Sequence, residues 1–350
     1  MAPYRQAQAL LAQLKRGRSL PPGALIRLGR WVWTAMWQIM MSELAPRDCE
    51  GAYVRPESQF RCWIGSNHPY PPEAGRYRLY VGMSCPWAHR TLVVRALKGL
   101  EQTVPVSLVV PSPEDGGWVL ERGDYGCRRL ADLYRRAEPD YAGRATVPVL
   151  WDERTQTIVN NESADIIRIL NSAFDAFAAH PERDLYPPEL QAAIEEWNTA
   201  IYPAVNNGVY RCGFAQTQQA YDRACSELFA QLDAIDRALA NQRYLCGDRL
   251  TLADVRLFTT LFRFDAVYFG LFKCNRRRIR DYPHLGPYLR DLYQCPGIAE
   301  TCDLERVKQD YYGNLFPLNP GGIVPAGPDG SDWNEPHGRQ ALSAAAASQG

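Results

Sequence analysis

Between Arg76 and Leu170 the apolar pattern changes period repeatedly, and the order of the changes leaves few folds open. Residues 76–81 alternate as a strand that stops at Gly82. Residues 91–100 carry Leu92, Val93, Ala96, Leu97 and Leu100, a helical spacing. Residues 104–110 read as a second strand, so the three segments make a β-α-β unit. Residues 111–143 show little apolar period and have room for one helical turn at 132–136. Residues 146–152 and 157–159 read as a hairpin, with Pro148 at the start or edge of its strand. Asn161, Glu162 and Ser163 then form a polar cap before a helix face of Ile166, Ile167 and Leu170.

After Tyr186 the spacing is helical only, over residues 190–202, 218–239 and 252–269. Thr251 with Asp254 three residues on is a capping signature, aspartate standing in for the usual glutamate. The β-α-β-β-α order is that of a thioredoxin-like half, here followed by an all-helical half. The expected division is an N-terminal extension with one helix (1–52), a thioredoxin-like domain (53–172), a linker (173–185) and an all-α domain (186–318). Residues 319–350, rich in Gly, Pro, Ala and Ser, are expected to be a disordered tail. The apolar stretch 31–41 is too short to span a bilayer and is interrupted by Thr34 and Gln38, so it reads as a helix packed on the rest of the protein.

The first strand and helix meet in YVGMSCPWAHRTLVVRALKGL (80–100), with Cys85 at the junction. A helix start offers unpaired N–H groups and the positive end of the dipole, and both favour a thiolate. Pro86 suits the first helical turn because its missing N–H is not needed there. His89 and Arg90 follow in the same turn and are expected to add positive charge. The same residues also fit a buried structural cysteine followed by an ordinary proline. Cys85 is followed by Pro86, Trp87 and Ala88, so it acts as a single thiol. The other nine cysteines form no C-x-x-C pair and no Cys/His cluster with zinc spacing; they read as small buried hydrophobes, with no metal expected.

Two further elements face this thiol in a thioredoxin-like half. Val147-Pro148 is the candidate cis bond, whose exposed backbone pairs with a peptide like an added strand. Glu162 and Ser163 can hold an amino-acid head, the hydroxyl and helix N–H groups taking a carboxylate and Glu162 an ammonium. Both are also simple helix caps. Taken together, the elements describe a slot for a small γ-linked peptide with its sulfur beside Cys85.

Lys plus Arg and Asp plus Glu both total 39, so no overall field argues for nucleic acid. The basic run 275–280 reads as a solvated helix end or a set of salt bridges. Residues 1–20 lack the apolar core of an export signal, which points to a cytoplasmic protein with reduced thiols.

The sequence resembles the glutathionyl-hydroquinone reductases, the Xi-class glutathione transferases, over roughly residues 53–328. The resemblance rests on RYRLYVGMSCPWAHRTL (76–92), VPVLWD (147–152), IVNNES (158–163), NNGVYRCGFA (206–215), LTLADVRLFTTLFRFDAVYFGLFKCN (250–275) and DYPHLGPYLRDLYQ (281–294). It implies an α+β glutathione transferase fold, with a thioredoxin-like N-terminal domain and an all-α C-terminal domain. It implies Cys85 as nucleophile and glutathione as co-substrate. Its glutathione contacts fall on Trp118, Arg144, the Val147 backbone, Glu162 and Ser163. The hydroquinone side falls on Tyr210, Tyr268 and Tyr311, with Tyr312 an adjacent alternative to the last. It also implies a homodimer paired through the helical domain. On the same site stand two rivals: a general thiol transferase acting on mixed disulfides, and a non-catalytic glutathione-binding scaffold.

Overall fold

The computed structural model describes residues 22–347. Its centre is a six-stranded sheet in the order β4-β3-β2-β1-β5-β6. The strands are β1 (Tyr77–Val81), β2 (Val106–Ser112), β3 (Gly117–Asp124), β4 (Cys127–Arg129), β5 (Val149–Asp152) and β6 (Thr157–Asn160). Strand β1 runs parallel to β2, with Leu79 opposite Val106, and antiparallel to β5, with Tyr80 opposite Val149. The parallel pair needs a crossover, supplied by helix α2 (Pro86–Lys98) after α1 (Pro22–Leu44). Gly99 ends α2 in the left-handed region at φ 64°, its N–H bonded to the carbonyls of Ala96 and Arg95. Helices α3 (Leu130–Ala137) and α4 (Ser163–Ser172) complete this half, and α4 packs on α2.

The second half is helical: α5 (Gln191–Ile201), α6 (Gly208–Gly213), α7 (Gln218–Ala238), α8 (Leu252–Arg263), α9 (Leu285–Tyr293) and α10 (Leu304–Asn314). Short π-helical turns at Tyr202–Asn206 and Phe264–Tyr268 follow α5 and α8. Helix α8 is buried along nearly its whole length and packs on α2, so it joins the two halves.

Asp254 anchors the start of α8. Its Oδ2 accepts from the N–H and hydroxyl of Thr251 at 2.8 Å each, and its Oδ1 accepts from Leu245 N–H at 2.8 Å and Tyr288 OH at 2.7 Å. Every one of these donors is buried, so removing the carboxylate strands them all. Asp254→Ala is therefore expected to cost about 3 kcal/mol or more of stability, read by urea unfolding.

Three expectations are corrected. Residues 111–143, read as an insertion with room for one helical turn, hold the β3-β4 hairpin as well as α3. The alternation is hidden because β3 lies near the sheet edge and only its Leu120 is buried. Helix α1 is not packed along its length: Leu25, Ile26, Trp31, Val32, Trp33, Met36 and Ile39 are exposed, and its burial comes at Met41 and the following Ala45. The segment expected to be a disordered tail is ordered where described. It forms a 3-10 turn at Ser331–Asn334 and helix α11 (Gln340–Ala347). Trp333 packs on Phe262 and Tyr293 with ring centroids 5.0 and 5.1 Å away, and the buried Arg339 donates to the carbonyls of Leu239, Gln242 and Arg243. Two long side chains dock a segment whose composition is otherwise that of a linker. Among the described residues no helix is long and apolar enough to cross a membrane, and the expectation about an export signal lies on residues outside that range.

Candidate active site

Cys85 is the N-cap of α2, half-buried, in extended backbone (φ −75°, ψ 116°), with Pro86 beginning the helix. Its Sγ lies 3.5 Å from the carbonyl of Val147, and the Val147–Pro148 peptide is cis. The strand that carries Val147 onward pairs with the strand that delivers Cys85, which brings residues 62 apart in sequence into contact.

The charge at this thiol differs from the expectation. Burial pushes the Cys85 thiol up, and the N–H of Ala88, the guanidinium groups of Arg55 and Arg263 and the N–H of Trp87 offset that only in part. His89 supplies no positive charge. It is 2% exposed, and burial together with Arg263 holds it well below the ordinary imidazole value. Its Nδ1 accepts from Arg263 Nη1 at 2.9 Å, which leaves Nε2 to donate to Thr301 Oγ1 at 2.9 Å. Arg90 turns away from the thiol, its Nη2 donating to Asn206 Oδ1 at 2.8 Å and its Nη1 lying 3.4 Å from Ser163 Oγ. With the thiol raised rather than lowered, turnover is expected to climb with pH from about 6 to about 9. A flat profile across that interval, measured as kcat/KM, contradicts this.

Glu162 is the N-cap of α4 and accepts from Ala164 N–H at 3.0 Å, while Ser163 Oγ lies 3.4 Å from its carboxylate. Segment 53–72 covers this corner. Ser58 Oγ donates to Glu162 Oε2 at 3.0 Å, Arg61 pairs with Asp165, and the Arg55 guanidinium stacks 4.2 Å from the Trp87 ring centroid. Arg90 stacks on Trp87 as well, at 4.3 Å, and its buried Nε has no partner among the described residues. This corner thus brings together a helix N-terminus, the guanidinium groups of Arg55 and Arg90, a hydroxyl and one carboxylate, groups of the kind that hold an amino-acid head.

Trp118, on β3, lies directly over the cysteine loop: a Cβ built on Gly82 falls 2.3 Å from its ring. Only glycine leaves room for the indole there. Arg144 is brought to no partner; its side chain is exposed and makes no hydrogen bond or ion pair among the described residues. It stands three residues before Val147.

The tyrosines gather from three helical elements. Tyr311 OH on α10 is 2.5 Å from Tyr210 OH on α6 and 3.2 Å from Tyr268 OH in the turn after α8. Tyr210 stacks on Trp87 at 6.5 Å, two residues from Cys85. Burial pushes all three phenols up; Tyr210 and Tyr268 also feel the Cys85 charge, and Arg263 counters part of the rise at Tyr268 and Tyr311. All three are neutral donors at neutral pH. Tyr312 points elsewhere, donating to Ala266 carbonyl at 3.2 Å, and does not enter the cluster.

Arg55, Ser58 and Arg263 were not legible as site residues. Arg55 and Ser58 sit in a polar segment without periodicity, and Arg263 lies inside a helix that reads as core. Arg90 carried a signal through its place in the CPWAHR motif, though its partners did not.

A single thiol at a helix mouth, a facing cis proline and a joined helical half define a cysteine-type glutathione transferase. The comparisons agree. Residues 84–173 match the model for the glutathione S-transferase N-terminal domain, and 218–291 that for its C-terminal domain. The glutathionyl-hydroquinone reductase YqjG of Escherichia coli (strain K12) is 48% identical over 83% of this chain and 92% of its own length. PcpF of Sphingobium chlorophenolicum, also a glutathionyl-hydroquinone reductase, is 47% identical over 85% and 94%. The glutathione-bound structure of YqjG superposes with a TM-score of 0.76 at 46% identity, covering 81% of this chain and 96% of that one. A Xi-class glutathione transferase from Natrialba magadii superposes at 0.77 with 49% identity, over 81% and 89%. The chain belongs to the glutathione S-transferase family, in its glutathionyl-hydroquinone reductase branch.

Proposed function

We propose that this chain is a glutathione-dependent reductase that cleaves glutathionyl-hydroquinones to the free hydroquinone and oxidised glutathione. The observation that carries the reading is the cluster of three neutral phenols beside a single thiol. A thiol alone serves disulfide exchange. Cleaving a bond between sulfur and a ring carbon also requires a proton for that carbon, and neutral phenols beside the thiol support a role as its source.

In this scheme the γ-glutamyl head of the substrate docks at Glu162 and Ser163, near Arg90, and its backbone pairs with Val147. Trp118 covers the slot, and Arg144 lies at its edge. A peptide N–H bonded to the Val147 carbonyl displaces the contact from Cys85 Sγ and frees the thiol to ionise. The thiolate attacks the glutathionyl sulfur and a Cys85–glutathione disulfide forms. The carbon–sulfur bond breaks, its electron pair stays with the ring carbon, and that carbon takes a proton relayed through Tyr210, Tyr268 and Tyr311. A second glutathione, as thiolate, attacks the glutathione sulfur of the mixed disulfide. Oxidised glutathione leaves and Cys85 is restored.

The reading includes a cytoplasmic homodimer paired through the helical half, which sedimentation of the purified chain tests. The test of the chemistry is a comparison of kcat/KM for a glutathionyl-hydroquinone and for a glutathione mixed disulfide of an aliphatic thiol. Preference for the aromatic thioether is expected. Exclusive use of the disulfide assigns the chain to general thiol transfer, and activity on neither leaves a binding scaffold.

A further inference from the structure

We infer that Arg263 is a positioning residue of this site, the internal counter-ion of the Cys85 thiolate and the clamp on the loop that carries it. Arg263 ends α8 and is 1% exposed. Its Nε donates to the Ser84 carbonyl at 2.9 Å and its Nη2 to the Met83 carbonyl at 2.7 Å, the two residues immediately before Cys85. Its Nη1 donates to the Thr259 carbonyl at 2.8 Å and to His89 Nδ1 at 2.9 Å. One guanidinium from the helical half thus grips the thiol loop and the first turn of α2 across some 180 residues of sequence.

Every one of those acceptors is neutral. Two backbone carbonyls of the loop, one of its own helix and an uncharged imidazole satisfy the N–H groups, but among the described residues no carboxylate lies within ion-pair distance of Arg263. A buried cation without an anion is expensive to maintain. It becomes intelligible when a buried anion forms beside it during the reaction. The groups that face Cys85 are few: Arg55 from segment 53–72, Arg263 from α8, Tyr210 from α6 and Tyr268 from the following turn. Asp310 on α10, near Ser84, accepts from Arg306 Nε through its Oδ1 at 3.3 Å, while its buried Oδ2 has no partner among the described residues. The phenols are neutral, so the thiolate has two candidate cations, one half-exposed and one fully buried. The buried one also acts on Tyr268, Tyr311 and Cys302, each of which it draws toward the anionic form. A single fixed charge therefore favours the anionic form of the sulfur and of the phenols around it alike. The inference rests on the proposed function only in taking the thiolate as the reacting species.

The test reads Cys85 directly and uses no hydroquinone, so its failure is separable from failure of the substrate assignment. The rate of Cys85 alkylation by iodoacetamide is followed against pH by peptide mass spectrometry, in the wild type, Arg263→Gln and Arg263→Lys. Arg263→Gln is expected to move the midpoint up by about one unit or more, which is roughly tenfold slower alkylation below both midpoints. Arg263→Lys, keeping the charge but losing the fork, is expected to fall between. A folded Arg263→Gln protein with an unchanged midpoint overturns the inference. Should Arg263→Gln not fold, the wild type still decides. A buried counter-ion leaves the midpoint insensitive to added salt, whereas a half-exposed one is screened. A midpoint that rises with salt, and that Arg55→Gln raises equally, gives the role to Arg55 and overturns the assignment to Arg263.

Discussion

Cys85→Ser is expected to lose cleavage of glutathionyl-hydroquinones by about 10³-fold or more while keeping the fold. The side chain caps α2 without a hydrogen bond of its own to the helix, so a hydroxyl fits the same place at little structural cost. In the proposed scheme, what disappears is the nucleophile. A serine hydroxyl stays protonated at neutral pH and has no base beside it, since His89 is locked between Arg263 and Thr301. With the thiol goes the disulfide intermediate, and with it the second glutathione has nothing to attack. Near-wild-type turnover with intact thermal stability would remove Cys85 from the chemistry altogether.

Tyr311→Phe is expected to lower kcat on the aromatic thioether by about 10²- to 10³-fold, with little change in KM for glutathione. Tyr311 is the shared member of the cluster, its hydroxyl within hydrogen-bond distance of both Tyr210 and Tyr268, so its loss removes both of those contacts at once. The ring remains and continues to pack edge-on against Tyr268 at 5.8 Å, so the fold is preserved. The informative contrast is a mixed disulfide substrate. Its leaving group is a thiolate, which needs no proton on carbon, and its turnover is expected to survive. Equal losses on both substrates would mean that the hydroxyl positions the site rather than supplying a proton.

Much of this architecture is legible in the chain because its signals are local. The stop at Gly82, the thiol, Pro86 and the onset of helical spacing all lie within a few residues, and the capping pair Thr251 and Asp254 is read from neighbours. The thioredoxin-like order follows from periods that each span one element. What stayed hidden depends on contacts made at a distance. The β3-β4 hairpin has one buried residue, Leu120, in β3 and so lacks the alternation that marks a half-buried strand. The apolar run in α1 looks like core because burial cannot be read from hydropathy when an element is only lightly docked. Trp333 and Arg339 order a segment of linker-like composition by reaching into the helical half.

The thiol itself shows the same limit. A helix start and a neighbouring His and Arg suggested an acidic cysteine, yet His89 is neutral, Arg90 faces Ser163, and burial dominates. The cations that do act on Cys85 are Arg55 and Arg263, one 30 residues before it and the other 178 after it. Chain position gives no hint of either.

The most direct test of the central claim is a single turnover of the protein with a glutathionylated hydroquinone and no free glutathione, followed by mass analysis of protein and product. The account predicts one free hydroquinone per protein, with one glutathione added at Cys85. Hydroquinone release that leaves Cys85 unmodified, or a Cys85 that accepts glutathione from disulfides while the thioether stays intact, would contradict it.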